Sequence, residues 1–227
     1  MKIELSQPFF KERITIMGIG LIGGSLARAL KRSNSVGKII AYDRDEAALQ
    51  RAYELGVADE IYTDPVEATK DADIIILATP ITAMGKIMKE ITPHLKESAV
   101  VSDVGSTKGS VLASIEAELG YLPERFVPAH PIAGTEKHGV ENSFDSLFDN
   151  RRTLVIPHLE NSHDAVRTIH DMWKAAGSMT EEMGVKHHDQ VLAATSHIPH
   201  LLAYATVDTL ANLDDRAEIF RFAAGGF

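Results

Sequence analysis

Short apolar runs alternate with amphipathic segments along most of this 227-residue chain. The runs are almost wholly apolar, as I-I-I-L-A at 74–78 shows, which is typical of strands covered by helices on both faces. Strands that alternate with helices of this length predict an α/β fold with a doubly wound, mostly parallel sheet. The predicted strands are Arg13–Met17, Lys38–Tyr42, Asp73–Ala78, Ala99–Asp103, Arg125–Pro128 and Thr153–Ile156. The predicted helices are Leu21–Arg32, Asp45–Leu55, Ala83–Leu95, Thr107–Leu119 and His163–Ala175.

The pattern changes near Gly184. Between Gln190 and Leu213 the one formally charged residue is Asp208, and a helix that is apolar on every face has to be buried. The roughly 40 residues after Gly184 are too few for an independent core. We therefore predict one domain at 1–183 and a helical segment at 184–227, which packs on the first domain or on a second copy of the chain as a homodimer. Pro199 is expected to kink or split this helix.

Composition excludes several classes of function. The formal net charge is -9, which argues against a broad nucleic-acid surface. The chain has no cysteine, so thiol catalysis, disulfides and cysteine-ligated metals are excluded. Its N-terminal residues lack the apolar core of a signal peptide, and no apolar run approaches the roughly 18 residues that span a bilayer. A cytoplasmic protein without a membrane or nucleic-acid partner is expected.

A glycine cluster joins the first predicted strand to the first predicted helix. Gly18, Gly20 and Gly23 match G-x-G-x-x-G, and the acidic residue Asp43 ends the next strand twenty residues after Gly23. In such a motif the first glycine permits a tight turn, the second leaves room for a pyrophosphate, and the third lets helix and strand pack closely. The alternative is a strand-to-helix turn that binds nothing, and the context of the motif favours dinucleotide binding by a Rossmann-type domain.

The ends of these elements indicate which dinucleotide binds. Leu21 and Ile22 open the helix, whose N-terminal N–H groups attract phosphate. Asp43 is expected to hydrogen-bond the adenosine ribose and to repel a 2′-phosphate. Arg44 could accept that phosphate or be a solvated surface side chain. NAD is therefore predicted in preference to NADP.

Histidines supply the candidates for chemistry. His130 lies between two prolines after a predicted strand, at the sheet edge where ligands bind, and histidine side chains titrate near pH 6.5, which suits a general base. A capping or packing role is the alternative for His130. The pairs His188–Asp189 and His197–His200 could suggest a metal site, but neither matches H-E-x-x-H and Pro199 interrupts the spacing. No metal is predicted.

Four motifs carry a resemblance to a known family. G-I-G-L-I-G-G-S-L, D-V-G-S-T-K, H-P-I-A-G-T-E-K-H-G and S-H-I-P-H occur in this order, and together they resemble the prephenate/arogenate (cyclohexadienyl) dehydrogenases of tyrosine biosynthesis. The likeness covers essentially the whole chain. It implies an NAD(P)-dependent oxidative decarboxylation, in which hydride leaves the carbinol carbon of a cyclohexadienol and the ring carboxylate departs as CO2.

The resemblance also assigns roles to residues. It implies that His130 is the catalytic histidine, which accepts the proton of the ring hydroxyl, and that Ser106 links this histidine to the nicotinamide. The remaining residues that it places at the site are Thr79 and Pro80 for the cofactor and Thr135, Glu136, Ser196, His197 and His200 for the substrate. Members of the family continue past G-G-F into a segment with an arginine that binds the ring carboxylate, so the helical dimerisation domain is expected to be incomplete.

Two other functions remain open from the residues. One is a β-hydroxyacid dehydrogenase for a different substrate, although the pattern G-G-x-x-x-G-x-x-x-N-x-x-K with its catalytic lysine is absent. The other is a regulator that binds NAD without turnover. The choice between prephenate and arogenate, the strictness for NAD over NADP, and feedback by tyrosine are not determined by the motifs.

Overall fold

The computed structural model describes residues 8–213 together with residues 218 and 221. The chain divides into two compact units, Met1–Val185 and Lys186–Phe227. The strands are β1 Lys11–Met17, β2 Val36–Tyr42, β3 Glu60–Tyr62, β4 Ile74–Leu77, β5 Val100–Asp103, β6 Phe126–Val127, β7 Ala129–Pro131, β8 Arg152–Val155 and β9 Met179–Glu182. The helices are α1 Leu21–Arg32, α2 Glu46–Glu54, α3 Pro65–Thr69, α4 Ile81–Ile91, α5 Lys108–Leu119, α6 His163–Ala175, α7 Val185–Leu192 and α8 Ile198–Ala211.

The main sheet has six strands in the order β3-β2-β1-β4-β5-β6, and every neighbouring pair is parallel. This order confirms the predicted doubly wound α/β fold. The chain winds outward from β1 in one direction to β3 and in the other direction to β6. In such a sheet the crevice for a ligand opens at the carboxyl ends of the strands, next to the point where the winding reverses. Here that point lies between β1 and β4.

A second, three-stranded sheet has the order β7-β8-β9, with β8 antiparallel to β7 and parallel to β9. The predicted strand Thr153–Ile156 belongs to this sheet, so its expected place in the parallel sheet was wrong. An apolar run indicates that a strand is buried, but it does not say which strand it pairs with. Pro128 marks the change of sheet, since it lies between β6 and β7 and its carbonyl accepts a hydrogen bond from the N–H of Ile156 at 2.9 Å.

Apolar side chains cover both faces of the main sheet. On one face α1, α2 and α6 pack over residues such as Ile14 and Ile16, around the edge-to-face pair of Trp173 and Phe148, whose ring centres lie 5.1 Å apart. On the other face α3, α4 and α5 pack over Met17 and its neighbours. These two layers hold the strand ends in fixed positions, and therefore also the loops that follow the strands.

The second unit contains a long helical run. After α7, a π-helical turn at Ala193–His197 leads directly into α8, with helical backbone angles at the junction. The prediction that Pro199 splits the helix was therefore wrong, while the alternative of a kink stays a prediction. Proline has no N–H and clashes with the carbonyl four residues earlier, here Thr195, and the wider π turn accommodates it without ending the helix.

The burial expected for this helix is also absent in the single chain. None of the residues in α8 is buried, and Leu201, Leu202 and Tyr204 are 68%, 63% and 76% exposed. The expectation of an unfinished terminus at G-G-F concerns residues 225–227, which lie outside the described residues. Within the described ranges, no helix combines the length and the apolar character that a bilayer span requires.

We predict that Gly85→Ala destabilises the fold. A Cβ at Gly85, in α4, would lie 2.3 Å from the carbonyl oxygen of Ser114 in α5, and both atoms belong to packed helices. The strain should lower the free energy of unfolding by about 1–3 kcal/mol, against the gain of about 1 kcal/mol that alanine normally gives in a helix. Urea unfolding measures the difference. Thr82→Ala, at an exposed position of the same helix, is the control and should not destabilise; equal stability of the two variants would contradict the packing.

Candidate active site

The glycine loop is shaped by two close backbone contacts. Gly18 has a φ of +98°, and a Cβ there would lie 2.5 Å from the carbonyl oxygen of Ala78. A Cβ at Gly23 would lie 2.3 Å from the carbonyl oxygen of Gly18. Gly20 differs from both, because a Cβ at this position would meet nothing within 4 Å. The loop is therefore closed on the protein side and open at Gly20, where the N-terminus of α1 begins with Leu21 and Ile22. An open face of this kind fits the close approach of a phosphate.

Asp43 braces this loop from the end of β2. Its Oδ2 accepts a hydrogen bond from the N–H of Ile19 at 3.1 Å, and its Oδ1 accepts one from the N–H of Asp45 at 3.1 Å. A carboxylate has about four lone-pair positions, so acceptor capacity remains for a ligand. Asp43 and the exposed Arg44 both line a cavity of about 420 Å³ that also touches Gly18 and Gly20.

Thr79 and Pro80 line the same cavity, in the short connection between β4 and α4. The hydroxyl oxygen of Thr79 is buried and has no hydrogen-bond partner among the described residues. An orphaned hydroxyl in a cavity wall fits a polar ligand. Burial, together with the negative charge of Glu90, raises the pKa of Tyr42 in this cavity, so its phenol stays protonated. The cavity walls therefore fit the adenosine half of a dinucleotide.

A buried ion pair closes the next loop along the sheet edge. Asp103 ends β5 and Lys108 begins α5, both side chains are fully buried, and Lys108 Nζ lies 2.5 Å from Asp103 Oδ2. The N–H of Gly105 also donates to Asp103 Oδ2 at 2.7 Å. Ser106, the predicted link to the nicotinamide, lies at an exposed position in the loop that this pair closes.

The same ion pair holds β7 through the backbone of Ala129. Lys108 Nζ donates to the carbonyl oxygen of Ala129 at 2.6 Å, and the N–H of Ala129 donates to Asp103 Oδ1 at 3.4 Å. Alternate residues of an antiparallel strand bond to the partner strand, and Pro128 and Ile132 bond to β8 and its flank. The polar groups of Ala129 therefore point away from β8, and the two charged side chains satisfy them.

His130 follows Ala129 as the central residue of β7, where it pairs in register with Leu154 and is partly buried. The strand holds it on one side through β8, and the ion pair holds its neighbour on the other. Thr135 and Glu136 come after β7 and are exposed. The hydroxyl of Thr135 accepts a hydrogen bond from the N–H of Lys137 at 3.2 Å.

The other predicted substrate residues lie in the second unit. Ser196 and His197 belong to the π-helical turn, and His200 lies in the first turn of α8. Residues three and four positions apart share a helix face, so His200 lies on the same face as the other two. His188 is fully buried, and its Nδ1 lies 2.8 Å from Asp189 Oδ1. Across the described residues, no group of three or more His, Cys, Asp or Glu side chains is arranged to hold a metal ion.

The sequence analysis did not predict a role for Asp103 or Lys108, although their ion pair holds the loop of Ser106 and the strand of His130 in place. One signal was available. A lysine in the first turn of a helix is unfavourable against the positive end of the helix dipole, unless an acidic partner compensates it. In D-V-G-S-T-K that partner stands five residues earlier, at the end of a strand.

Three features define the class of protein: the open glycine loop, the aspartate that braces it, and the crevice between β1 and β4. Together they are those of a Rossmann-type dinucleotide-binding domain. The family model described as "Prephenate dehydrogenase, nucleotide-binding domain" matches residues 26–182. The model described as "Prephenate dehydrogenase, dimerization domain" matches residues 185–227.

Relatives with established names agree with the family models. Cyclohexadienyl dehydrogenase of Zymomonas mobilis is 35% identical over 95% of this chain and 74% of its own length. Prephenate dehydrogenase of Bacillus subtilis is 32% identical over 96% of this chain, which spans 59% of that relative. A crystal structure of A. aeolicus prephenate dehydrogenase with hydroxyphenyl propionate and NAD+ superposes with a TM-score of 0.88 at 34% identity, over 97% of this chain and 77% of that chain.

The chain belongs to the prephenate dehydrogenase family. The resemblance inferred from the four motifs is thereby confirmed, as is the Rossmann-type fold followed by a helical segment. The roles given to individual residues stay predictions.

We predict that Lys108→Met lowers the free energy of unfolding by about 3–5 kcal/mol, because it leaves Asp103 charged and buried. Asp103→Leu combined with Lys108→Met removes both charges and should recover part of this loss, although the polar groups of Ala129 then lack their partners. Urea unfolding compares the variants.

Lys31→Met is the matched control for this prediction. Lys31 Nζ bonds Asp59 at 2.8 Å on the surface, and loss of an exposed ion pair costs about 0–1 kcal/mol. A Lys108→Met protein as stable as the Lys31→Met protein would show that the buried pair does not stabilise the sheet edge.

Proposed function

We propose that this protein is an NAD-dependent dehydrogenase that converts prephenate or arogenate by oxidative decarboxylation, to 4-hydroxyphenylpyruvate or tyrosine. The observation that supports this most is the placement of His130. Its strand is held through Ala129 by the buried pair of Asp103 and Lys108, at the carboxyl edge of the sheet that also carries the open glycine loop. A histidine on a strand held in this way, near the sheet edge where a dinucleotide binds, suits proton transfer coupled to hydride transfer.

In this proposal NAD, when bound, supplies the hydride acceptor. The imidazole of His130 accepts the proton of the ring hydroxyl while the carbinol carbon loses hydride and becomes a carbonyl carbon. The C–CO2 bond then breaks, and its electron pair completes the aromatic ring and leaves a phenolate oxygen. His130 returns the proton to that oxygen. Because aromatisation supplies the driving force, the protein contributes mainly orientation and one proton acceptor.

Other residues have supporting roles in the proposal. Gly20, Leu21 and Ile22 bind the phosphates through backbone N–H groups, and Asp43 binds the ribose hydroxyls. Ser106 connects the nicotinamide end of the cofactor with His130. Residues Thr135, Glu136, Ser196, His197 and His200 contact the substrate, while Arg44, Thr79, Pro80, Gly18 and Gly23 complete the cofactor site.

The function is tested by following NADH absorbance with prephenate, with arogenate and with small 3-hydroxy acids as separate substrates. Turnover of prephenate or arogenate is expected, and the ratio of their kcat/KM values assigns the substrate. Turnover of a 3-hydroxy acid alone would instead indicate a β-hydroxyacid dehydrogenase. Binding of NAD without turnover of any of them would indicate a regulator.

We predict that His130→Asn lowers kcat by about 10²–10⁴-fold, because the variant lacks the general base. The dissociation constant for NAD should stay unchanged, since His130 is assigned to the proton and not to the cofactor. Steady-state kinetics and calorimetry measure the two quantities. His163→Asn, at an exposed position of α6, is the control and should retain full activity. A near-normal kcat in His130→Asn would remove this residue from the mechanism.

The helical segment supports a further part of the proposal, assembly into a homodimer. α8 exposes Leu201, Leu202 and Tyr204, and the family model that covers this segment is described as a dimerization domain. Exposed apolar side chains in a row are typical of a surface that another chain covers.

We predict a dimer by light scattering at micromolar concentration, and a shift toward monomer for Leu201→Glu, because a charge in a buried apolar interface is costly. Glu181→Gln, on the exposed strand β9, serves as the control and should leave the mass unchanged. A wild-type protein that scatters as a monomer would overturn the dimer.

The cellular setting is likewise part of the proposal. The proposed substrate is a small cyclohexadienol and the cofactor is a dinucleotide, and we expect the protein to encounter both in the cytoplasm. Fractionation of cells that express the protein would locate it.

A further inference from the structure

The segment after β7 is fastened to α1 beside the glycine loop. The N–H of Phe144 donates to Ser25 Oγ at 3.2 Å, and Arg28 Nε donates to Ser143 Oγ at 2.9 Å. Ser143 also packs so closely on α1 that a Cβ at Gly24 would lie 2.9 Å from its hydroxyl oxygen. These contacts fix the downstream end of the loop 134–139, and β7 fixes its upstream end.

The fastened loop and the start of α1 line an open cavity of about 450 Å³. One wall consists of Gly20, Leu21, Ile22 and Gly23. The facing wall consists of Gly134, Thr135, Lys137, His138 and Gly139. The loop 134–139 therefore forms the second wall of the place where the proposed function puts the pyrophosphate.

Charge distinguishes this cavity from its neighbour. Its lining includes Lys137 and His138 and no carboxylate, although the chain as a whole has a net charge of -9. The cavity on the other side of Gly20 is lined by three carboxylates, Asp43, Asp45 and Glu141, against one cation, Arg51. The first cavity therefore suits an anion better than the second, where carboxylates outnumber the cation.

The pyrophosphate of a dinucleotide carries two negative charges, and the N-terminus of α1 supplies too little positive charge to balance them. The N-cap of α1 is Gly20, which has no side chain, and the first turn that follows it contains no basic residue. Backbone N–H groups and the helix dipole contribute only partial charges. Lys137 is the side chain in the facing wall that carries a full positive charge at neutral pH. Its backbone N–H is tied to Thr135 Oγ1 at 3.2 Å, which gives this part of the loop a defined turn.

We propose that Lys137 is a further cofactor-binding residue, whose ammonium group pairs with the pyrophosphate of NAD across this cavity. The inference rests on the proposed dehydrogenase function. It adds a residue that the sequence motifs did not assign, and it makes the loop 134–139 a clamp on the phosphates. Only six residues separate Lys137 from His130, so the clamp and the catalytic strand belong to one continuous segment.

The test compares Lys137→Met and Lys137→Arg with the wild-type protein. Dissociation constants are measured by calorimetry for NAD and for ADP-ribose, which keeps the pyrophosphate, and by competition for adenosine, which lacks it. Lys137→Met should raise the dissociation constants for NAD and for ADP-ribose by about 5- to 30-fold, the range expected for loss of a partly exposed charge pair. Adenosine affinity should stay unchanged, and Lys137→Arg should restore most of the affinity for both phosphate ligands.

A matched control and a salt series sharpen the result. Lys89→Met removes an exposed lysine of α4 that pairs with Glu118 at 3.0 Å, and it should change none of the three affinities. Raising the salt concentration should weaken NAD binding more for the wild-type protein than for Lys137→Met, because an exposed ion pair is screened.

Each other outcome contradicts a defined part of the account. Unchanged ADP-ribose affinity in Lys137→Met overturns the role of Lys137 and leaves the proposed function intact. An equal loss for adenosine also overturns it, since the substitution would then act on the fold or on the adenosine cavity. A wild-type protein that binds neither NAD nor ADP-ribose overturns the proposed function, and this inference with it.

Discussion

The fully buried ion pair of Asp103 and Lys108 is the interaction on which the rest of the site depends. Moving two charged groups from water into the protein interior costs free energy. The attraction between the two charges offsets that cost only when further hydrogen bonds satisfy the remaining polar atoms. Here the N–H of Gly105 and both backbone polar groups of Ala129 complete it. One pair thus fixes the loop that holds Ser106 and the strand that holds His130, although these segments come from different sheets.

The topology of the main sheet brings the cofactor loops to this pair. Because the winding reverses between β1 and β4, the glycine loop after β1 and Thr79 after β4 face one crevice. The next strand outward is β5, which ends at Asp103. A dinucleotide that lies along the strand ends therefore runs from the cavity of Asp43 toward the loop of Ser106. With the ribose on Asp43 as proposed, this strand order predicts the redox end of the cofactor near the buried pair.

Most of the fold could be predicted because it depends on local patterns. α1 and α6 have the predicted bounds, since amphipathic periodicity marks a helix along its whole length. α3 and β3 were not predicted, because elements of three to five residues are too short to show a hydrophobic periodicity. β8 was assigned to the wrong sheet, and a split at Pro199 was expected as the alternative to a kink, because strand pairing and a compensating π turn depend on the tertiary structure. The glycine motif was found from spacing, whereas the full burial of Lys108 depends on tertiary packing, and its place in the first turn of α5 was the one local signal.

A crystal structure with NAD+ tests the central claim most directly, by showing where the two ends of the dinucleotide lie. The account predicts the adenosine ribose on the carboxylate of Asp43, the pyrophosphate between Gly20 and the loop 134–139, and the nicotinamide ring facing Ser106 and His130. A dinucleotide whose nicotinamide points away from His130, or one bound outside the crevice between β1 and β4, would contradict it.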